Sequence, residues 1–346
     1  MKRLKCSAIA TVLLAVSLAA SPLIAFPQRA IENPFSVEPN RYLVKWDPFY
    51  NTLIFYRDVA DTSTPAVRTY TGGISPNPLV YPLKDFPDAK KADIWDVAAT
   101  PSGGAAVICV LGYAKRPAKH AILIYDRGGS LQKVLETYPY HHHRIVVDLE
   151  ENIYAFGHRL DIKDEPGEPD YAVLVKYSQD GKVLARSLPR TWYPAGFQIA
   201  EASPATGEHA LLVVGRELVL YLSTAREVLR FNTDGELLVR TPFTRVLDEI
   251  IKATESARAE VVAIGSEGTS HFVVELRLWP KDSRTGRISF LLAKLSQDGT
   301  SWKRDSSVAT AALAWRFLGL TDTGRLAFLT RGNAGEILFA SYDAVR

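Results

Sequence analysis

A short pattern recurs along the chain: an apolar run that ends at an aromatic residue, a polar turn, and a second apolar run. The clearest copy is YAVLVKYSQDGKVLA at 171–185, where Tyr177 precedes the turn formed by Asp180 and Gly181. Asp-Gly accepts the positive φ that a tight turn between twisted antiparallel strands requires, so the pattern predicts a β-hairpin. The anchor residue is aromatic in five of the six copies and leucine in the fifth unit: Tyr70, Tyr125, Tyr177, Phe231, Leu295 and Tyr342.

A second marker, an apolar strand followed by a polar turn and another apolar strand, lies 18 to 27 positions before each anchor. Its turns centre on Asn51, Gly103, Asn152, Gly207, Gly268 and Gly324. The two markers together predict four strands per unit, and four-stranded units of about 50 residues have the dimensions of propeller blades. The sequence therefore predicts an all-β fold, a six-bladed β-propeller of four-stranded antiparallel blades. A β-sandwich or two smaller β domains is the alternative, although neither explains six similar units.

The last unit ends four residues after Tyr342 and lacks a fourth strand of its own. We therefore expect part of Pro27–Val37 to pair with it as the outer strand and to close the ring. The propeller should span 26–346. The expected blades are roughly 41–90, 91–139, 140–191, 192–244, 258–306 and 310–346 with 27–37.

Residues 1–25 have the order of a secretory signal peptide. Three basic residues stand among the first five, an apolar run covers 8–20, and a small residue follows at Ala25. The apolar run is short for a bilayer-spanning helix, which needs about 20 apolar residues. We expect export to the periplasm or the cell exterior, with cleavage after Ala25, or alternatively after Ala19 or Ala20. An uncleaved anchor is the other interpretation.

The balance of positive and negative residues indicates which classes of partner the protein does not bind. The chain has 41 Lys and Arg against 38 Asp and Glu, and removing the three basic residues of the leading segment makes the two totals equal. A neutral mature protein argues against binding to nucleic acid or to an anionic membrane. Cys109 is the only cysteine after that segment and lies in an apolar run, which indicates a buried hydrophobic side chain rather than a disulfide.

We expect a monomer with no transmembrane segment after cleavage.

The segments IVVDLEENIYAFG (145–157) and VLVKYSQDGKVLA (173–185) together resemble one repeat of the NHL-like and TolB-like six-bladed propellers. In propellers of this kind the loops between blades and the loops between the second and third strands share one face around the central channel. The resemblance implies that ligands, and the metals of enzymatic members, bind on that face.

Counting back along the first strand of each unit gives the side chains expected on that face. They are Arg41, Asp93, Trp95, His142, His143, Arg144, Gln198, Arg258, Glu260, Trp315 and Arg316. A polar ring with aromatic residues suits a small anionic or polar ligand, or a protein.

Three local features qualify this expectation. His141–His143 offers imidazoles that can bind transition metals or act as a base, and the alternative is a solvated connector between blades. The acidic loop 158–170 lacks the spacing of a calcium loop, so we interpret it as a solvated excursion. Residues 245–257 have helical periodicity, and packing against a blade edge is favoured over a lid on the channel face.

The sequence contains no Gly-x-Ser-x-Gly elbow, and GSEG at 265–268 is interpreted as a turn between strands. The favoured function is therefore a non-catalytic module that binds a ligand or a protein through the channel face, with no cofactor. The alternative is a metal-dependent hydrolase or lactonase that holds a divalent ion with Asp93, Glu260 and a histidine, His143 or else His142. Convergence of these three side chains on one point would favour the enzyme.

Overall fold

The computed structural model describes most of the chain. The described residues are 29–30, 43–71, 77–162, 169–193, 209–267, 270–282, 286–304, 314–321, 324–331 and 337–342. The predicted signal peptide, residues 1–25, lies outside them. Within the described ranges, no helix is both long and apolar enough to cross a membrane.

The described strands run in chain order and are interrupted by two α-helices and one 3₁₀ turn. The first nine strands are β1 Arg29–Ala30, β2 Leu43–Asp47, β3 Thr52–Tyr56, β4 Val67–Thr71, β5 Leu79–Val80, β6 Ala89–Ala99, β7 Ala105–Tyr113, β8 Lys119–Tyr125 and β9 Leu131–Glu136. The next eight are β10 Tyr140–Val147, β11 Ile153–Arg159, β12 Ala172–Tyr177, β13 Val183–Pro189, β14 His209–Val214, β15 Glu217–Leu222, β16 Glu227–Asn232 and β17 Leu237–Pro242. The last seven are β18 Ser256–Glu267, β19 His271–Pro280, β20 Ser289–Ser296, β21 Trp302–Arg304, β22 Ala314–Leu320, β23 Leu326–Arg331 and β24 Ile337–Tyr342. The helices are α1 Pro82–Asp85 and α2 Thr244–Ala253, and the 3₁₀ turn is Arg190–Trp192.

In the described part of the chain these strands form six four-stranded antiparallel sheets, five of them in sequence order. We number the sheets one to six from their first strands, β2, β6, β10, β14, β18 and β22, which we call the inner strands. Each inner strand contacts the next, and β22 contacts β2, so the sheets close a ring. The predicted all-β propeller of four-stranded antiparallel blades is confirmed, and a sandwich is excluded.

Closure by the beginning of the chain is also confirmed. β1 pairs antiparallel with β24, with Arg29 opposite Phe339 and Ala30 opposite Leu338, and so becomes the outer strand of sheet six. Trp46 joins sheets one and six near the channel. Its indole Nε1–H donates to the Leu320 carbonyl at 2.8 Å, and its ring stacks on Phe339 with centroids 4.8 Å apart.

The apolar core is divided among the gaps between neighbouring sheets. The described buried clusters join sheets one and two, two and three, three and four, four and five, five and six, and six and one. The repeated anchor residue belongs to this packing: Tyr125 is 1% exposed, Phe231 1% and Leu295 0%. The Asp-Gly turn forms as predicted. Gly181 has φ +81°, and its backbone N–H donates to the Ser178 carbonyl at 2.8 Å.

Two smaller expectations are met. Cys109 is fully buried in the cluster between sheets one and two, and burial raises the pKa of its thiol. Helix α2 packs Val246, Leu247 and Ile250 into the cluster between sheets four and five, so its apolar face covers a blade edge as favoured.

We expect Trp46→Phe to lower the free energy of unfolding by about 1–3 kcal/mol, because it leaves the buried Leu320 carbonyl without its donor. Urea denaturation followed by circular dichroism measures the effect. Trp192→Phe is the matched control, since Trp192 is 43% exposed, and its midpoint should stay close to that of the parent protein. Equal midpoints for the two variants would show that the Trp46 bond does not stabilise the ring.

Candidate functional site

The inner strands of all six sheets line a cavity of about 110 Å³ on the axis of the ring. Three charged residues lie on its wall: Lys45 from β2, Asp96 from β6 and Arg144 from β10. They come from three consecutive sheets, so one side of the channel is polar.

Lys45 and Asp96 form the central contact of this polar wall. The Lys45 ammonium donates to Asp96 Oδ2 at 2.7 Å and to the Ile145 carbonyl at 2.8 Å. Asp96 Oδ2 also accepts the Ile145 backbone N–H at 2.8 Å. The Asp96 side chain is 1% exposed and that of Lys45 16% exposed, so these bonds join sheets one, two and three in a largely dry interior.

Arg144 is buried beside this pair and donates from Nη1 to the His143 carbonyl at 2.7 Å. A β-bulge precedes both Asp96 and Arg144, between Ile94 and Asp96 on β6 and between His142 and Arg144 on β10. A bulge adds one residue to a strand and redirects the side chains that follow it. The bulges therefore explain how charged residues on long, mostly buried strands reach the channel.

The opposite wall of the channel is aliphatic. It includes Leu212 on β14, Val262 on β18 and Leu318 on β22. A second cavity of about 390 Å³ adjoins the first, since Trp46, Leu212, Ile264 and Leu318 line both. The second cavity lies toward the turns that follow the inner strands and is lined there by Phe49, Ser266, Glu267 and Thr321. The channel thus combines a charged wall with a larger extension that is aliphatic where it adjoins the first cavity and polar near the turns.

The turn after β2 is held firmly at this end of the channel. Asp47 is buried and accepts backbone N–H bonds from Phe49 at 3.2 Å and from Ala99 at 3.3 Å. Burial raises the pKa of Asp47, and the Lys45 charge acts against that rise. The Tyr50 hydroxyl donates to the Asp148 carbonyl at 2.8 Å, which ties the turn to sheet three.

Four imidazoles form a cluster near the other end of the inner strands. His120 Nδ1 lies 3.0 Å from His141 Nδ1, and His143 Nε2 lies 2.9 Å from His158 Nδ1. The ring centroids of His141 and His143 are 4.7 Å apart, which brings the two hydrogen-bonded pairs together. Trp95 packs edge-on against both central rings, at 4.3 Å from His141 and 4.9 Å from His143. We call His120, His141, His143, His158 and Trp95 the histidine cluster.

His142 points away from the histidine cluster, as strand alternation requires. Its Nε2 lies 2.9 Å from the Tyr177 hydroxyl, and its ring stacks on Tyr140 at 5.4 Å. Burial lowers the pKa of His141 and of His142 to about 3 each. Burial, followed by the proximity of His141, holds the pKa of His143 well below its usual range. These rings are therefore neutral at physiological pH.

The three residues of the predicted metal site do not meet. Asp93 pairs with Lys91 at 2.7 Å on the surface of β6. His143 belongs to the histidine cluster, and Glu260 lies between Arg277 at 3.7 Å and the exposed Arg258 at 4.0 Å. Among the described residues, no three His, Cys, Asp or Glu side chains are grouped to hold a metal ion.

The channel itself does not fit the divalent metal that the family resemblance implies. Asp96 is the one carboxylate among the residues that line the 110 Å³ cavity, and its Oδ2 is occupied by Lys45 and Ile145. Two cationic side chains flank it, whereas a hard divalent ion needs several oxygen ligands.

Other predicted residues have different outcomes. Trp95 and Arg144 lie at the histidine cluster and the channel wall, as described above. Arg41 and Gln198 lie outside the described residues, as do the side chains of Trp315 and Arg316. Sequence reasoning missed Lys45 and Asp96, although a charged residue inside an apolar inner strand was a usable signal. Lys45 stands closer to the turn after its strand than the predicted Arg41 does, and Asp96 stands closer to its turn than the predicted Asp93 and Trp95 do.

Solved structures match nearly the whole chain. A Bacteroides fragilis protein presumed to be exported aligns with a TM-score of 0.50 at 9% identity, covering 91% of this chain and 91% of that chain. A DUF4221 family member from Bacteroides vulgatus aligns with a TM-score of 0.49 at 12% identity, covering 93% and 97%. A streptogramin B lyase aligns with a TM-score of 0.42 at 11% identity, covering 92% and 97%.

At 9% identity the likeness to the Bacteroides fragilis protein shows the fold alone. No protein-family model matches the sequence, and no curated protein matches it either.

We expect the free energy of unfolding to fall as the pH decreases below about 6.5, the ordinary pKa of histidine. The unfolded rings take up protons there, whereas the folded His141 and His142 resist protonation down to about pH 3. The stability contributed by each lowered pKa is therefore present above about 6.5 and is lost toward 3, by up to about 1.4 kcal/mol per pH unit.

Urea denaturation at about pH 7.5 and about pH 5 measures this dependence. His141→Gln removes one titrating ring and should lose less stability between the two pH values than the parent protein. His271→Gln, outside the cluster, should behave like the parent. An unchanged pH dependence in His141→Gln would contradict the assignment.

Proposed function

We propose that this protein is an exported, non-catalytic binding module that holds a small anionic ligand with an apolar part in its central channel. The carrying observation is the Lys45 ammonium, which lies on the cavity wall in a largely dry interior. An ammonium has three donors, and the contacts with Asp96 and Ile145 use two of them. In the described structure the third donor has no protein partner, so it is available to a ligand.

The charges of the cavity favour an anion. Two of the residues that line it are cationic, Lys45 and Arg144, and one is anionic, Asp96. A hydrogen bond between an ammonium and a carboxylate is stronger than one between neutral groups, and removal from water strengthens it further. A carboxylate, sulfonate or phosphate monoester has the matching chemistry.

The apolar part of the ligand would lie against Leu212, Val262 and Leu318 and extend into the adjoining cavity. The two cavities measure about 110 and 390 Å³. Together they reach the range of about 300–1,000 Å³ that is usual for small-molecule sites. A charged group at one end and an aliphatic chain at the other use both walls.

The proposal includes three finer points. Export is supported by the basic, apolar and small-residue order of 1–25, and the Bacteroides fragilis protein of similar fold is itself presumed to be exported. Six blades are supported by the six described sheets and the buried clusters between them. Membership of the NHL-like and TolB-like superfamily is supported by the repeat at 145–185.

We test the ligand class by calorimetry with acetate, hexanoate and octanoate, using octanol and octylammonium as probes without the negative charge. Octanoate should bind most tightly of the three acids, and the two uncharged or cationic probes should bind weakly. Lys45→Gln should weaken octanoate binding by about tenfold or more, because a charge-assisted bond contributes about 1.5–3 kcal/mol.

Asp96→Asn should change the octanoate affinity in the opposite direction. It removes the competing carboxylate, so octanoate should bind more tightly, a gain that unfolding cannot produce. Lys133→Ala is the matched control, because Lys133 forms an exposed ion pair with Asp180 away from the channel. The same octanoate affinity in all three variants would overturn the proposal, as would equal binding of octylammonium.

A metal-dependent hydrolase or lactonase is the competing function. It needs Asp93, His143 and Glu260 around one ion, and each of these is engaged by another neighbour. We expect the purified protein to retain no stoichiometric Ca²⁺, Mg²⁺ or Zn²⁺ and to hydrolyse lactones no faster than the solution does. Elemental analysis and a lactone assay with each added ion check both points. Activity that depends on Glu260, lost in Glu260→Gln, would establish the enzyme instead.

A further inference from the structure

We propose that the histidine cluster takes up one divalent transition-metal ion, Cu²⁺ most tightly, between His120 and His141. This site lies apart from the channel residues that carry the proposed function. Two imidazoles bind the ion and water fills its remaining coordination positions. The site therefore needs no group of three ligating side chains, and none is found among the described residues.

The pair is already arranged as two converging ligands. His120 Nδ1 and His141 Nδ1 lie 3.0 Å apart, so the lone pair of one nitrogen faces the hydrogen of the other. Cu²⁺ favours square-planar or tetragonal coordination, in which two adjacent nitrogens at bond lengths of about 2.0–2.1 Å lie about 2.9 Å apart. The separation in the structure is close to this value, so a rotation of the rings that turns both lone pairs toward one point beside the N–N line makes room for an ion.

The protonation state suits metal binding. A hydrogen bond between the two Nδ1 atoms needs one of them to be an acceptor with a lone pair, so that ring is a neutral imidazole. Each neutral imidazole carries one hydrogen, and the donor ring of the pair moves its hydrogen from Nδ1 to Nε2. Both Nδ1 lone pairs then bind the ion, and no proton is released.

The donor atoms select the metal. Among the described residues no carboxylate is hydrogen-bonded to either ring, and the one described cysteine, Cys109, is buried in the core between sheets one and two. Imidazole ligands suit copper, nickel and zinc, whereas calcium and magnesium prefer oxygen. Divalent copper forms the most stable complexes of the first-row series, so Cu²⁺ should bind more tightly than Ni²⁺ or Zn²⁺.

The second pair, His143 with His158, is less suitable. His143 is 2% exposed, whereas His120 is half-buried and accessible from solvent. Arg144 directly follows His143 and its guanidinium donates to the His143 carbonyl at 2.7 Å, so its positive charge opposes a cation bound there. Access and charge thus both favour His120 and His141.

Trp95 makes binding visible. Its ring centroid lies 4.3 Å from that of His141, and a Cu²⁺ ion bound to that imidazole is close enough to quench indole fluorescence. The untagged, chelator-treated mature protein is titrated with CuSO₄, NiCl₂ and ZnCl₂ while fluorescence and heat are recorded. We expect saturation at one Cu²⁺ per chain, nitrogen hyperfine structure in the electron paramagnetic resonance spectrum, and loss of most of the quenching in Trp95→Phe without loss of calorimetric affinity.

His120→Gln should weaken Cu²⁺ binding at least tenfold, and its half-buried position makes it the variant most easily tolerated by the fold. His141→Gln should do the same, provided that circular dichroism shows a folded protein. His158→Gln and His271→Gln should bind Cu²⁺ like the parent. Parent-like affinity in His120→Gln overturns the proposal. Loss of binding in His158→Gln but not in His120→Gln overturns the assignment to this pair.

Discussion

A four-stranded sheet whose two faces are both apolar cannot be stable alone in water, and every blade of this propeller has that property. Burial of apolar area is the dominant favourable contribution to folding, and here it is divided among the gaps between neighbouring sheets. Each sheet must be covered on both sides, so the stacking ends only when the last sheet meets the first. The contact of β22 with β2, the Trp46 bond to Leu320 and the pairing of β1 with β24 complete that closure.

Ring closure also creates the site. The inner strands are brought side by side around an axis, and whatever they place there shares one small space with poor access to water. Three of them place aliphatic residues there, and the other three place Lys45, Asp96 and Arg144, with the contact among Lys45, Asp96 and Ile145 at the centre of the polar wall. A buried ion pair is retained only where further hydrogen bonds satisfy it, and the backbone of Ile145 supplies both an acceptor and a donor. The arrangement joins three blades and orients the ammonium that we propose as the ligand contact.

Much of the architecture was predictable from the sequence, because it depends on local patterns. Asp180 and Gly181 predict a hairpin, and Tyr177 before them predicts the buried end of a strand. The recurrence of this unit predicts a ring of similar sheets. The site was predicted less well. Arg144 and Trp95 were expected near the channel face, whereas Asp93 and Glu260 turned out to pair with neighbouring cations. Lys45 and Asp96 were missed because both stand closer to the following turn than the positions that the repeat pattern indicated. On β6 the bulge before Asp96 also redirects the side chains that follow it, which a simple count along the strand does not include.

The sequence alone determined the strands, their turns, the buried Cys109 and the need for the beginning of the chain to complete the last sheet, since each follows from neighbours in the chain. The tertiary structure decided which charges meet. Lys45 is 51 residues from Asp96, and Asp96 is 49 residues from Ile145. The pairing of His120 with His141 joins two different sheets and is equally invisible in the sequence. Such contacts depend on strand register, bulges and the stacking of sheets, which are properties of the closed ring rather than of any one segment.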